Sequence, residues 1–241
     1  MQNLEFNSGV IKPFECVSEA WGLIKKDYWL LFGISLVGGL LAGATMYVLF
    51  GAMICGIFGV YLKRIDGGEV KFEDLWLGMK YIVPSIPVVI LFVVPLVIYF
   101  VVVFITLYSP LIAAAIMGEH GDPTIIIGTF AVAIVIDIIV AILMTIVHSF
   151  IIFAFPLMVD RNLGGMDAIK LSARAVMKNM GGIGGMIVVN FGIVLLGQMA
   201  FCIGIYFVIP IITASNLVAY RKVFPRLETP MIVPPALFGE R

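Results

Sequence analysis

The sequence predicts an all-α membrane protein of six transmembrane helices, built as three units of a cytoplasmic amphipathic helix followed by a transmembrane hairpin. Three observations predict it. Apolar residues make up 62% of the chain and charged residues 12%, with a mean hydropathy of +1.14; a soluble domain is nearly half apolar and about a quarter charged. Lys and Arg fall only in four clusters, at 12–26, 63–80, 161–178 and from 221 onward, with long apolar blocks between them. The stretch 160–180, DRNLGGMDAIKLSARAVMKNM, places Ile169, Ala173, Val176, Met177 and Met180 on one side of a helix. Lys170, Arg174 and Lys178 form a second stripe at i, i+4 and i+8, the pattern of a helix lying on an anionic membrane surface.

The positive-inside rule sets the expected topology. All four basic clusters are cytoplasmic, so an even number of crossings separates each from the next. Two per interval give six, with both termini inside the plasma (inner) membrane. The one polar gap outside the clusters, GEHGD at 118–122, is acidic. Net charge is zero, which gives no reason to expect nucleic acid as a partner.

Taken in order, residues 1–12 read as a polar lead, and Pro13 suits a first helical turn. The first amphipathic helix is expected at 14–27, with Val17, Ala20, Trp21, Ile24 and Tyr28 on one side and Lys25 on the other. Tyr28 and Trp29 mark the headgroup level. The block 29–62 holds two short crossings, 29–45 and 46–62, and GGLLAG at 38–43 reads as the tight turn between them. In the second crossing, Gly51, Cys55 and Gly59, like Ala52 and Gly56, recur every four residues, which lets another helix approach closely.

A second amphipathic helix is expected at 70–80, with Phe72, Leu75, Trp76 and Met79 at i, i+3, i+4 and i+7 and Lys80 at its end. The third crossing, 82–104, opens at Pro84 and Pro87 and carries a kink at Pro95. Residues 105–136 read either as extensions of two long tilted helices or as a re-entrant segment at the outer face. The fourth crossing is placed at 138–158. The third amphipathic helix is placed at 166–179. GGIGG at 181–185 opens the fifth crossing, 181–198; helix start and close packing account for it better than a phosphate-cradling loop. The sixth crossing, 201–220, is kinked at Pro210. Residues 1–224 form one membrane domain, and 225–241, with Pro225, Pro230, Pro234 and Pro235, an extended cytoplasmic tail.

Aligning Trp21, Trp76 and Arg174 puts Lys25, Lys80 and Lys178 in register, each ahead of a hairpin, as divergent copies of one unit would. Cys16, Cys55 and Cys202 read as small packing residues rather than a disulfide framework. No signal peptide is visible: the first apolar run begins near Tyr28, behind a polar segment.

The runs GVYLKRIDGGEVKFEDLWLGMKYIVPSIP and FPLMVDRNLGGMDAIKLSARAVMKNMGG resemble signature stretches of a bacterial six-helix integral-membrane family. That family is related to the membrane domain of glycerophosphoryl diester phosphodiesterases and includes uncharacterised relatives. The resemblance implies the six-helix fold over nearly the whole chain. The phosphodiesterase activity belongs to a separate soluble domain rich in histidine and carboxylate metal ligands. This chain has only His120 and His148, so the resemblance implies no such activity here.

No P-loop, HExxH, GxSxG or metal-spaced cysteine pattern is present. The expected protein is therefore not an enzyme, and no cofactor or metal is expected. Ionisable groups within the membrane are the default functional suspects. Asp137 and His148, eleven residues apart, share a helical face with Met144 and Thr145. Keeping an ionised Asp at the membrane centre costs about 2.5–3.5 kcal/mol. One reading is a proton or cation relay; the other has Asp137 capping a helix at the outer interface and His148 hydrogen-bonded within the bundle. Asn190, Gln198 and Asn216 complete the candidate intramembrane polar set, where interhelical amide bonds contribute about 0.6 kcal/mol each. Asp160 and Arg161 are expected to pair with each other or with headgroups. Lys25, Lys80, Lys170, Arg174 and Lys178 are the candidate headgroup contacts. The expected function is a lipid-interacting membrane scaffold or accessory subunit whose partners are anionic lipids and either another membrane protein or a second copy. The alternative is a small-solute or ion transporter using the Asp137–His148 face.

Overall fold

Pro13, which has no N–H to lose, opens the first helix, α1 (Pro13–Ile24). The structure is a computed structural model that describes residues 5–45, 47–118, 122–199 and 203–226. His120, Cys202 and the tail prolines Pro230, Pro234 and Pro235 lie outside the described residues, as does most of the acidic gap. Every element among the described residues is helical. Four helices are long and apolar enough to cross a membrane, and up to five if a pair bent by 102° is taken as one span. The chain is accordingly a helical membrane protein.

That bent pair is α1 and α2 (Tyr28–Ala44), joined at residues 25–27. GGLLAG does not turn the chain; it lies inside α2. Its first glycine serves packing instead: a Cβ on Gly38 would stand 2.9 Å from Ile57 Cδ1. Past Thr45 the chain reverses, and Tyr47 takes a positive φ of 66°. α3 (Phe50–Ile65) returns and is buried along most of its length. At 17 and 16 residues, α2 and α3 rise only about 26 and 24 Å, short of a hydrocarbon core about 30 Å thick. The Ser35 and Tyr61 hydroxyls join the pair at 2.8 Å.

The segment expected as a second α-helix is a 3-10 helix, Phe72–Tyr81. Its buried residues are Leu75, Gly78 and Tyr81, spaced by three as a 3.0-residue turn requires. Trp76 and Met79, which an α-helix would have turned inward with Leu75, are exposed. Nor does this element lie across the bundle end. It runs lengthwise and antiparallel along α3, with Asp74 bound to Lys63 and Leu75 O only 2.2 Å from where a Gly56 Cβ would sit. A Gly78 Cβ would stand 2.1 Å from Ala52 O, and one on Gly51 2.0 Å from Ser85 Oγ. The small residues of α3 thus admit a 3-10 helix.

Residues 105–136 extend two long helices, α4 (Ile86–Met117) and α5 (Pro123–Phe150). With no charged residue before Gly118 to stop it, the third crossing runs past 104, and the fourth begins at 123 rather than 138. Pro95 and Pro110 are both accommodated within α4. At 32 and 28 residues these helices rise about 48 and 42 Å, longer than the hydrocarbon core, and they pack chiefly on each other. Asp122 caps α5, accepting from Thr124 N–H at 2.9 Å and Thr124 Oγ1 at 2.7 Å. These bonds hold its carboxyl below the usual aspartate range.

A break at 151–153 separates α5 from α6 (Ala154–Arg161), which ends on Asn162 in the left-handed conformation. α7 (Gly165–Lys178) then packs on α6 and on the base of the α4–α5 hairpin. α8 (Met180–Met199) and α9 (Gly204–Val223) form the last hairpin, and α1 packs along α9. The GGIGG run lies in the first turns of α8, where a Cβ on Gly182 or Gly185 would meet Ile11 at 2.5 Å or Pro13 at 2.6 Å. The polar lead is stitched down: Asn7 N–H donates to Val223 O, and Gly9 N–H to Asn179 Oδ1.

Candidate functional site

Five helix ends meet at one end of the molecule. Asp27 before α2 pairs with Arg64 at the end of α3, 2.6 Å apart. Asp66, just past α3, accepts both Arg221 Nε at 2.9 Å and Nη2 at 2.7 Å. Arg221 Nη2 also reaches Asp160 Oδ1 at 2.7 Å, and Asp160 Oδ2 accepts from Tyr220 OH at 2.7 Å, with Arg161 Nε 3.0 Å away as an ion pair. Arg161 Nη2 donates to Pro225 O. Lys222 pairs with Glu19 of α1 at 3.0 Å, and Asn179 at the end of α7 donates to Asn7 O. Two carboxylates, Asp66 and Asp160, face two guanidiniums, Arg161 and Arg221, so the centre of this cluster is neutral. Sequence reading anticipated only the Asp160–Arg161 neighbours. The signal for the rest was a carboxylate or tyrosine beside a cation at each helix end, as in KRID, VDR and YRK.

α7 is the contrasting case. Its buried residues are Gly165, Ala168, Leu171, Ser172, Ala175 and Val176, a face of mostly small side chains. Of the stripe expected to face the membrane only Val176 is buried, while Met177 and Met180 are exposed with Met166. Small residues win the inward side because α7 closely approaches the hairpin base. Gly165 sits where a Cβ would be 2.5 Å from Pro84 O. Ser172 Oγ bridges the α5–α6 break, donating to Phe150 O and accepting from Phe153 N–H. At 100° per residue, Lys170, Arg174 and Lys178 lie next to the outward methionines. All three are exposed, and none forms an ion pair among the described residues. Lys25 and Lys80 are likewise exposed and outside any ion pair, with Lys80 Nζ 4.9 Å from the centre of the Tyr81 ring.

The five candidate intramembrane polar residues lie in three places. Asp137 is in the middle of α5, not at a helix start, and accepts from Thr106 Oγ1 of α4 at 2.7 Å. His148 also faces α4, with Nε2 3.0 Å from Phe92 O and Nδ1 2.9 Å from Met144 O. The separate α8–α9 pair carries Asn190 and Asn216, where Asn190 Nδ2 donates to Asn216 Oδ1 at 2.9 Å. Gln198 is exposed near the end of α8. Among the described residues no group of three or more His, Cys, Asp or Glu is placed to hold a metal ion.

Two cavities flank these features. One, of about 310 Å3, lies at the charged end between Asp66, Asp160, Arg221 and Arg226. The other, of about 510 Å3, is walled by α3, α4, α5, α6 and α8 and includes Phe50, Phe58, Phe92, His148, Phe155 and Ile187. No family model, curated protein or solved structure matches this chain.

Proposed function

We propose that this chain is a multi-pass protein of the plasma (inner) membrane, with both termini cytoplasmic, that holds anionic lipid through α7 and acts as a membrane scaffold or accessory subunit. The observation that carries the proposal is the set of exposed cations Lys170, Arg174 and Lys178, in no ion pair among the described residues, beside outward Met166, Met177 and Met180. Elsewhere at the charged end Arg64, Arg161 and Arg221 are bound to carboxylates; on α7 the charge is left for a headgroup. The six-helix family resemblance enters as part of the same proposal, for its fold alone. At about 1 kcal/mol per cation near an anionic surface, three cations supply about 3 kcal/mol, roughly a hundredfold preference.

The test is retention of phosphatidylglycerol over phosphatidylcholine by the purified protein, read by native mass spectrometry. The Lys170→Gln, Arg174→Gln, Lys178→Gln triple variant loses most of that preference. An unchanged preference in a folded triple variant rejects the proposal.

A second reading, ion or proton flux through the α4–α5 hairpin, is favoured by one observation: Asp137 and His148 both bond to α4. It predicts flux in proteoliposomes that Asp137→Asn and His148→Ala abolish. Vesicles of folded parent protein silent to protons and small ions count against it.

A further inference from the structure

The cavity of about 510 Å3 is a gap between two hairpins. Met144, Thr145, His148 and Ser149 of α5, with Phe92 and Leu96 of α4, form one wall, and Ile187 of α8 forms the other. Phe50, Ile54 and Phe58 of α3 close the back. α8 packs chiefly on α9 and α1 rather than on α5, so the gap opens sideways. Its rim is continuous with the outward apolar surface of Leu143, Val147, Val188 and Phe191, which in this membrane protein is the lipid-facing surface.

Three of the wall residues have polar side chains, and all three are already committed. Thr145 Oγ1 donates to Ala141 O, and Ser149 Oγ to Ile146 O. His148 lies against two carbonyl oxygens, those of Met144 and Phe92, and its ring N–H donates to one of them. The cavity therefore offers an occupant mostly aromatic and aliphatic surface, with the hydroxyl and ring N–H donors of its wall already used. Its volume lies within the ordinary range for small-molecule sites, about 300–1,000 Å3. An ion or polar solute would be desolvated there without compensation; a hydrocarbon chain loses nothing. α7 joins the two walls, packing on α4 at Gly165 and leading into α8 at Met180. Its cations therefore lie on the segment that links the two sides of the gap.

We infer that this cavity seats one acyl chain of a membrane lipid, inserted sideways between α5 and α8 until it reaches α3. The inference rests on the lipid-interacting reading and extends it from headgroups to a chain site. The experiment uses the full chain in nanodiscs containing phosphatidylcholine or phosphatidylglycerol that carries a diazirine on one acyl chain, with adducts mapped by peptide mass spectrometry. Adducts are expected on Ile54 and Phe58, in addition to those on outward hairpin residues such as Phe104 and Ile139. Thr145→Trp and Ile187→Trp, which plug the gap from either side, remove most of the α3 label and leave the outward label. Two substitutions on different helices keep the test decisive if one variant fails to fold.

Label confined to the outward surface overturns the inference, as does α3 label that survives both plugs. The two headgroups separate this site from α7. Equal α3 labelling by both probes supports the chain site and counts against the headgroup reading. A lipid preference lost in the α7 triple variant with α3 unlabelled does the reverse.

Discussion

Asp160 holds three groups at once, Tyr220 OH, Arg161 Nε and Arg221 Nη2, and Arg221 holds Asp66 as well. With side chains only 12% exposed for both Asp160 and Arg221, removing Arg221 leaves Asp66 without its cation and Asp160 with Arg161 alone. Arg221→Gln is expected to cost about 3–5 kcal/mol, read as thermal unfolding in detergent; a cost under about 1 kcal/mol would mean that the cluster behaves as an exposed pair. Asp74 is the acid-sensitive member of the surface set. Burial raises its pKa, but the Lys63 ammonium and the Lys71 N–H more than reverse this and hold it below 3.8. A lowered folded-state value stabilises fully above the unfolded one, and the contribution is lost as pH falls through the folded one. Hydrogen exchange across the 3-10 helix should therefore accelerate as pH falls from about 5 to about 3, beyond the intrinsic pH dependence, and Asp74→Asn should remove that excess. An excess unaffected by the substitution would place the sensitivity elsewhere.

Among the elements, the 3-10 helix shows where periodicity misleads. Phe72, Leu75, Trp76 and Met79 match an α-helical face, yet Leu75, Gly78 and Tyr81 are buried, because α3 presents Ala52 and Gly56 at a separation too small for a Cβ at Gly78. Gly78→Ala is expected to destabilise by about 1–3 kcal/mol through overpacking, whereas Gly184→Ala, where nothing lies within 4 Å of the added atom, should be neutral in the same thermal assay. Equal effects would contradict the close-approach account. α1, α7, α8 and α9 were legible in the sequence because Pro13, the basic stripe, the GGIGG run and Arg221–Lys222 mark their ends locally. GGLLAG misled because glycine serves both turning and close packing, and only the facing residue Ile57 distinguishes them. The protein-facing side of α7, Gly165, Ala168, Ser172 and Ala175, was not legible, since small residues carry little hydrophobic signal and yet pack inward.

At the scale of the whole molecule, charge patterning reaches further than hydropathy. Among the described residues four helices qualify as spans by length and composition, while α2 and α3 are too short to qualify and α4 and α5 exceed the membrane core. The sequence shows the cation clusters but not their partners, because pairs such as Asp66–Arg221 join residues 155 positions apart. Of the candidate polar residues, Asp137 and His148 both bond to α4, and Asn190 bonds to Asn216 between the last two crossings, where the sequence places them. The central claim is that the charged helix ends lie at one cytoplasmic membrane surface, with the α4–α5 tip on the other side. The most direct test is labelling by a membrane-impermeant maleimide of single cysteines, Lys26→Cys, Lys178→Cys and Thr124→Cys, in a chain carrying Cys16→Ala, Cys55→Ala and Cys202→Ala. The account predicts that Thr124→Cys reacts in intact cells and that the other two react only after the membrane is opened. Reaction of Lys26→Cys and Lys178→Cys from opposite sides would contradict it.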